Sequence, residues 1–186
     1  MKKVLSVFLL VITLCGCSKE SAYLDRVVSL RNKLSGANGC CFISEIGLDY
    51  GDSTYSFSVM CSLDTENTMN LTVIDPEPIA GICARITGES GHLTFDEKFL
   101  AFEMIADGNI APICIPWLFI CSLRSGYISS FGSGTDGYFA VVEDTYKGAD
   151  YLTEITFNNL REPVFAEIIW QGKRIASMTV SEFKIL

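Results

Sequence analysis

Histidine is almost missing from this chain of 186 residues, in which His92 is the only one. A serine-type catalytic triad or a histidine-containing zinc site would have to be built around that residue. It lies in Gly91-His92-Leu93, which we interpret as a turn with an exposed side chain. No C-x-x-C pair occurs, so the spacing of the cysteines does not indicate a zinc site. These shortages argue against an enzyme and against a bound metal or other cofactor.

Basic residues are also few. The chain has 14 Lys and Arg against 22 Asp and Glu, a formal net charge of −8. An acidic surface repels phosphates, which argues against nucleic acid as a partner and against electrostatic docking on anionic lipid. After residue 14 no apolar run reaches the roughly 20 residues that a membrane-spanning helix needs.

The longest apolar run lies at the start of the chain. Lys2 and Lys3 form a positive head, and the run from Val4 to Leu14 follows it. The run ends in Leu14-Cys15-Gly16-Cys17, after which Ser18-Lys19-Glu20 is polar. These are the parts of a cleavable secretory signal peptide, and the run is too short for a membrane-spanning helix.

The residues that end this run resemble the lipobox of bacterial lipoproteins. In that motif an aliphatic residue and two small residues precede a cysteine, which is diacylated and becomes the mature N-terminus. The resemblance implies lipid on Cys17 and attachment to the extracytoplasmic face of the cell membrane; ordinary secretion is the alternative. We predict a signal peptide over residues 1–16, a lipidated tether over 17–21 and one domain over 22–186. The mature chain of 170 residues then has a formal charge near −10 and suits a single core.

Six cysteines follow Cys17. They are Cys40, Cys41, Cys61, Cys83, Cys114 and Cys121. An even number in an exported protein permits disulfides, but most of these cysteines lie in apolar runs, where a thiol behaves as a small hydrophobe. In a helix over Ile115 to Ser125, Cys114 and Cys121 would be about 10 Å apart along the axis, too far for a bond. We therefore predict mostly free, buried thiols.

Periodicity predicts an N-terminal helix and then a first group of strands. Ala22 to Leu34 has an apolar stripe at helical spacing and is followed by a glycine-rich stretch. From Tyr55 to Leu63 apolar and polar residues alternate, as in a half-buried antiparallel strand, and Gly51-Asp52-Ser53 before it reads as a hairpin turn. Similar patterns predict strands at Phe42 to Tyr50, Met69 to Ile74, Ile79 to Thr87, Leu93 to Phe95 and Phe99 to Met104.

An apolar segment separates these strands from a second group. Pro116 can begin a helix and Gly126 can end it, and Trp117 to Cys121 between them is apolar on every side. Such a helix must be buried or cover an apolar surface. Strand patterns resume at Tyr127 to Phe131, Tyr138 to Val142, Tyr151 to Phe157, Val164 to Trp170 and Ile175 to Phe183. We predict an α+β fold: a strongly curved antiparallel sheet, an open half β-barrel of about 10–11 strands, with both helices over its concave face.

This order of elements resembles the lipoprotein carrier and receptor family of LolA, LolB and RseB-like proteins. The apolar mid-chain helix adds to the resemblance. So does the segment Asn158 to Val164, which is similar to a loop of the family that ends in proline before two long closing strands; residues 166–168 and 172–174 belong to those strands here. Clostridial spore-germination lipoproteins share this fold. The resemblance implies an open half-barrel whose hollow is covered by helices. It also implies an arginine inside the barrel, for which Arg85 is a candidate.

Two non-enzymatic functions remain open. In the first, the half-barrel binds an amphiphile, such as a lipid or a lipoprotein acyl chain, in a cavity lined by eight apolar residues. These are Trp117, Leu118, Phe119 and Ile120 on the helix and Phe57, Val59, Phe102 and Ile168 on strands. In the second, these residues fill a core, and the protein docks a cell-envelope enzyme or sensor, for example a germination amidase, at the membrane. A void beneath the helix favours the first function, and tight filling favours the second.

Overall fold

The described part of the chain folds into one large antiparallel sheet with two helices. The structure is a computed structural model that describes residues 20–49, 54–88, 90–103, 105–106 and 109–186. The helices are α1 (Glu20–Ser35) and α2 (Ile115–Ser125). The strands are β1 (Cys40–Asp49), β2 (Thr54–Leu63), β3 (Met69–Asp75), β4 (Cys83–Ile86), β5 (Gly91–Phe95), β6 (Lys98–Phe102), β7 (Ile105–Ala106), β8 (Asn109–Ile110), β9 (Tyr127–Ser133), β10 (Gly137–Tyr146), β11 (Ala149–Asn158), β12 (Pro163–Trp170) and β13 (Lys173–Ile185).

The large sheet consists of two meanders joined at its centre. Strands β1 to β6 are neighbours in chain order, as are β9 to β13, and β7 and β8 form a separate pair. The meanders meet where β13 pairs with β1, with Ser181 opposite Ile43. The order β6-β5-β4-β3-β2-β1-β13-β12-β11-β10-β9 leaves the sheet open, with β6 and β9 at its edges. The predicted α+β half-barrel is confirmed.

Contacts between distant strands show how strongly this sheet is curved. Gly88, between β4 and β5, is at least seven strand spacings from Tyr146 on β10, more than about 30 Å in a flat sheet. The Tyr146 hydroxyl nevertheless donates a hydrogen bond to the Gly88 carbonyl at 3.3 Å. Trp117 on α2 meets the Tyr146 ring edge-on at 5.6 Å, and its Nε1 donates to the Asn67 carbonyl, between β2 and β3, at 3.4 Å. The sheet therefore curls round α2, which lies on its concave side.

Both helices begin and end close to where the sequence places them. Helix α1 is slightly longer than the predicted Ala22 to Leu34, and Val27, Leu30 and Leu34 form its buried face. Helix α2 has a proline in its first turn and ends before Gly126, whose N–H donates to the Ser122 carbonyl at 3.0 Å. Among the described residues, no helix combines the length and the apolar character that crossing a membrane requires.

Two local predictions are wrong. The strand predicted to begin at Ile79 begins at Cys83, because Pro76 precedes and Pro78 lies within a 3-10 turn over Glu77–Ile79, and proline has no N–H for a strand ladder. His92 lies on strand β5 instead of in an exposed turn. It is half-buried, with its ring 5.0 Å from that of Phe99.

Several predictions lie outside the described residues. They concern the signal peptide over 1–16, the lipidated Cys17 with most of its tether, the turn Gly51-Asp52-Ser53, and Tyr50 and Met104 at predicted strand ends.

Candidate functional site

The four helix residues predicted to face a cavity lie in the packed core. Trp117 is 5% exposed, and Leu118, Phe119 and Ile120 are fully buried. The Phe119 ring meets Phe42 of β1 edge-on at 5.9 Å. Helix α2 thus contacts the centre of the sheet as well as β10.

The four strand residues of that prediction join the same core. Val59 and Ile168 are fully buried, while Phe57 and Phe102 are partly buried and pack against the core. The Phe102 ring lies so close to the Cα of Gly91 that a side chain at residue 91 would collide with it. The structure therefore brings all eight predicted residues together in one hydrophobic cluster. Their role as ligand contacts stays a prediction.

An arginine links the two helices, but it is Arg31 and not Arg85. Arg85 is exposed on β4, opposite His92 of the neighbouring strand. Arg31 of α1 donates from Nε to the Leu123 carbonyl of α2 at 2.9 Å. Burial lowers the pKa of this guanidinium, partly offset by the charge of Asp144. The carbonyls near the end of α2 are thus partly satisfied by α1, which fixes the two helices relative to each other.

Four pockets on the described surface are lined by residues other than the eight predicted ones. The largest, about 640 Å³, lies beside the end of α2 and strands β10 and β11. Its charged lining residues, Glu143, Asp144 and Asp150, are all acidic. Asp144 accepts a hydrogen bond from the Tyr151 hydroxyl at 3.1 Å, and Asp150 accepts one from Thr145 at 2.9 Å. Within the part of the chain that the structure describes, no three side chains are grouped as metal ligands.

A smaller pocket, of about 190 Å³, has the opposite charge. It lies between α1 and the turn that joins β11 to β12, and we call it the basic pocket. Arg26 and Lys33 line it from α1, Arg161 lines it from the turn, and Glu162 is its acidic lining residue. Its apolar lining consists of Leu30, Leu160, Phe183 and Ile185. Sequence reasoning missed this pocket because its basic residues lie far apart along the chain, and no local pattern signals that they meet.

The cysteines agree with the prediction of free and mostly buried thiols. All six that follow Cys17 are free: Cys40, Cys61 and Cys114 are buried, Cys41 and Cys121 are half-buried, and Cys83 is exposed. Burial raises the pKa of the Cys40, Cys114 and Cys121 thiols to about 12. It also raises the pKa of Cys61 well above its ordinary range.

We expect Cys83 to be the first thiol that a water-soluble alkylating agent modifies in the folded protein. The thiolate is the reactive form, so a thiol whose pKa is about 12 stays protonated and slow until the solution is strongly alkaline. Mass spectrometry of the protein after brief alkylation near neutral pH should show the first adduct at the exposed Cys83, ahead of the half-buried Cys41. The Cys83→Ser variant should lose that adduct. Faster labelling of Cys114 than of Cys83 would contradict the packing of α2.

Comparisons with known proteins concern the fold. No protein-family model and no curated protein matches the sequence. Solved structures that are similar include a LolA superfamily protein from Nitrosomonas europaea, 9% identical over 86% of this chain and 93% of that one, with a TM-score of 0.45. An outer membrane lipoprotein-sorting protein domain from Vibrio parahaemolyticus is 7% identical over 89% and 92%, with a TM-score of 0.49. A chain from the complex of the CwlD amidase with the GerS lipoprotein of Clostridioides difficile is 13% identical over 86% and 93%, with a TM-score of 0.42. The names of these structures belong to the same group of lipoprotein carriers and lipoproteins that the order of elements in the sequence resembles.

Proposed function

We propose that this protein is a non-enzymatic, extracytoplasmic lipoprotein, anchored through lipid on Cys17, that docks a protein partner at the membrane. The observation that carries the proposal is the filled interior of the half-barrel. Four large side chains of α2 are at most 5% exposed, and they contact β1, β10 and the turn between β2 and β3. An interior filled in this way supports a protein that acts through its surface.

The hairpin of β5 and β6 is the part of that surface best suited to a partner. Strand β6 is at the edge of the sheet, and its side chains Phe99 and Leu100 are 66% and 61% exposed. Within the described residues β6 is paired on one side only, by β5. Unpaired backbone groups on an edge strand bind an extended segment of another chain, and exposed apolar side chains add contact area. The occupant we propose is therefore an extended segment of an extracytoplasmic protein.

Native mass spectrometry tests this function. Cys15→Ala combined with Cys17→Ala creates an Ala-Gly-Ala signal peptidase site before Ser18, so the host exports the mature domain without acyl chains. We call this form the released domain. We expect it, after gentle purification from its host, to have a bare mass or to form a complex with one protein. Phe99→Ser with Leu100→Ser should abolish that complex, whereas Tyr127→Ser, at an exposed site on the opposite edge, should leave it intact.

Binding of an amphiphile is the second candidate, and one observation favours it. Leu93 and Phe95 lie on the same face of the hairpin as Leu100, because residues two apart and residues directly opposite share a face. Leu93 packs against the core, whereas Phe95 and Leu100 further along this face are exposed. An acyl chain could lie on this continuation of the concave face. An extra mass on the released domain that is lost on denaturation and identified as a lipid would support this candidate and contradict the first.

A further inference from the structure

The basic pocket stands out in a domain whose net charge is strongly negative. Arg26, Lys33 and Arg161 line it, against Glu162 alone among acidic residues. Within the residues that the structure describes, the ion pair found joins Arg174 of β13 to Glu167 of β12, and neither residue lines the pocket. None of the three basic side chains therefore forms an ion pair with a described carboxylate, and they outnumber Glu162, the acidic residue of the lining.

Arg26 is held in position by two aromatic rings. Its guanidinium carbon lies 5.6 Å from the centre of the Tyr23 ring and 5.7 Å from that of Tyr138. Tyr138 in turn stacks on Phe157 with 4.8 Å between ring centres. Contact with aromatic faces orients a guanidinium while its N–H groups can still donate to an oxyanion. Arg26 is thus arranged for an anion before one binds.

The turn that presents Arg161 is rigidly built. Asn158 accepts the Glu162 N–H on Oδ1 at 3.0 Å and donates from Nδ2 to the Glu162 carboxylate at 3.0 Å. The Glu162 carboxylate is therefore engaged by an amide of its own turn. Arg161 has a φ of 71°, which is uncommon for a residue other than glycine, and its N–H donates to the Asn158 carbonyl at 3.0 Å. Beside it, Leu160 is 78% exposed, so a cation and an apolar side chain lie together at the tip of the turn.

A buried hydroxyl near these arginines lacks a partner. The Tyr138 side chain is fully buried, and its hydroxyl has no hydrogen-bond partner in the described structure. The charges of Arg26 and Arg161 act on it, opposing the rise in its pKa that burial causes. Tyr138 is not a lining residue of the basic pocket, so its contribution to the site is the aromatic face that positions Arg26.

We propose that the basic pocket binds the phosphate of an anionic phospholipid headgroup in the membrane that holds the chain. The inference rests on the proposed anchoring at Cys17. The three residue-to-residue steps from Cys17 to Glu20 span at most about 11 Å, and the helical rise from there to Arg26 adds about 9 Å. Arg26 therefore lies within roughly 20 Å of the anchored residue, whatever the path of the tether. Cations beside exposed apolar side chains are suited to the boundary between headgroups and acyl chains.

Vesicle binding by the released domain tests this inference. The domain is mixed with vesicles of phosphatidylcholine, or of phosphatidylcholine with phosphatidylglycerol, and the bound fraction is measured by sedimentation at low salt. Arg26→Gln with Arg161→Gln should lower partition onto the anionic vesicles about 25-fold, since each cation at a membrane surface contributes roughly a factor of five. Lys33→Gln with Arg161→Gln should give a similar loss while leaving the stack of Arg26 on Tyr23 and Tyr138 untouched.

A matched control removes the same charge elsewhere. Lys147→Gln with Lys173→Gln changes two exposed lysines at the turns that join β10 to β11 and β12 to β13, and should alter partition less than about threefold. Equal losses in the control and in the pocket variants would overturn the inference, because binding would then follow net charge alone. Undiminished binding in the pocket variants would also overturn it and leave the pocket to an acidic segment of a protein. Inorganic phosphate and chloride are then compared, at equal ionic strength, as competitors that release the domain from the vesicles. If phosphate releases no more domain than chloride does, the result supports a headgroup site. If phosphate releases the domain at low concentration, the pocket is assigned to soluble phosphate.

The outcome is separable from that of the proposed function. The released domain has no acyl chain, so failure to bind vesicles overturns the headgroup site alone. Failure of lipidation would instead leave the unsubstituted protein soluble in its host.

Discussion

Replacing Cys15 and Cys17 together by alanine is expected to move the protein from the membrane fraction to the soluble extracytoplasmic fraction. Each buried CH2 of an acyl chain contributes about 0.8 kcal/mol, and two or three chains on one cysteine anchor a protein stably. Their loss should lower membrane affinity by roughly a thousandfold or more. At cellular salt the basic pocket cannot compensate for this, because screening weakens surface charges. The measurement is fractionation of host cells followed by immunoblotting.

The matched control is Cys15→Ala alone. It leaves Leu14 and Gly16 before Cys17, so the lipobox keeps its aliphatic and small residues. This variant should stay in the membrane fraction and carry acyl chains by mass spectrometry of its N-terminal peptide. If the double variant is cleaved before Ser18 and still sediments with membranes, the lipoprotein assignment is wrong.

Phe119→Ala is expected to be the most destabilising single substitution in the released domain. Phe119 is fully buried on α2 and meets Phe42 edge-on. Truncating a buried phenylalanine removes its transfer free energy and leaves a cavity, which costs about 3–5 kcal/mol. For a domain of this size the melting temperature should fall by about 6–20 °C. Urea unfolding followed by the fluorescence of the tryptophans measures the loss.

Tyr127→Ala is the control for this experiment. Tyr127 is a large aromatic residue at the edge strand β9, but it is 72% exposed, and its truncation should change the free energy of unfolding by less than about 0.5 kcal/mol. A loss below about 1 kcal/mol for Phe119→Ala would show that the helix residue borders open space. That result would favour the amphiphile-binding function over docking of a partner.

The sequence predicts the elements of this fold well where local chemistry decides them. Helix α2 is bounded by Pro116 and Gly126, because a proline is tolerated in the first turn and glycine favours the end. Alternation along β2 identifies Val59, Cys61 and Leu63 as inward-facing, and all three are buried. The same alternation also includes Tyr55, which is exposed. Alternation gives the face of a strand, but only the whole fold determines where along the strand the core ends.

The sequence could not predict the contacts that depend on distant parts of the chain. Arg85 fits a general expectation of an arginine inside the barrel, yet strand register places it on the outer face, and Arg31 links the helices instead. The meeting of Arg26 with Arg161 requires both the packing of α1 and the position of the turn between β11 and β12. The composition is that of an acidic protein, which argues against binding to anionic lipid. The basic pocket is a local exception to that acidity, and it becomes visible only in the folded chain.

The central pairing of β13 with β1 has a consequence for how the chain folds. There the Ser181 hydroxyl donates a hydrogen bond to the Ile43 carbonyl, and these two residues are 138 positions apart in the sequence. Pairing of such distant segments is slow, because the entropy of closing a long loop is lost before the contacts form. A growing chain that contains β1 to β6 still lacks the strand that completes its apolar face. If the chain is exported, as we propose, delayed folding of this kind would keep the new polypeptide extended until it has crossed the membrane.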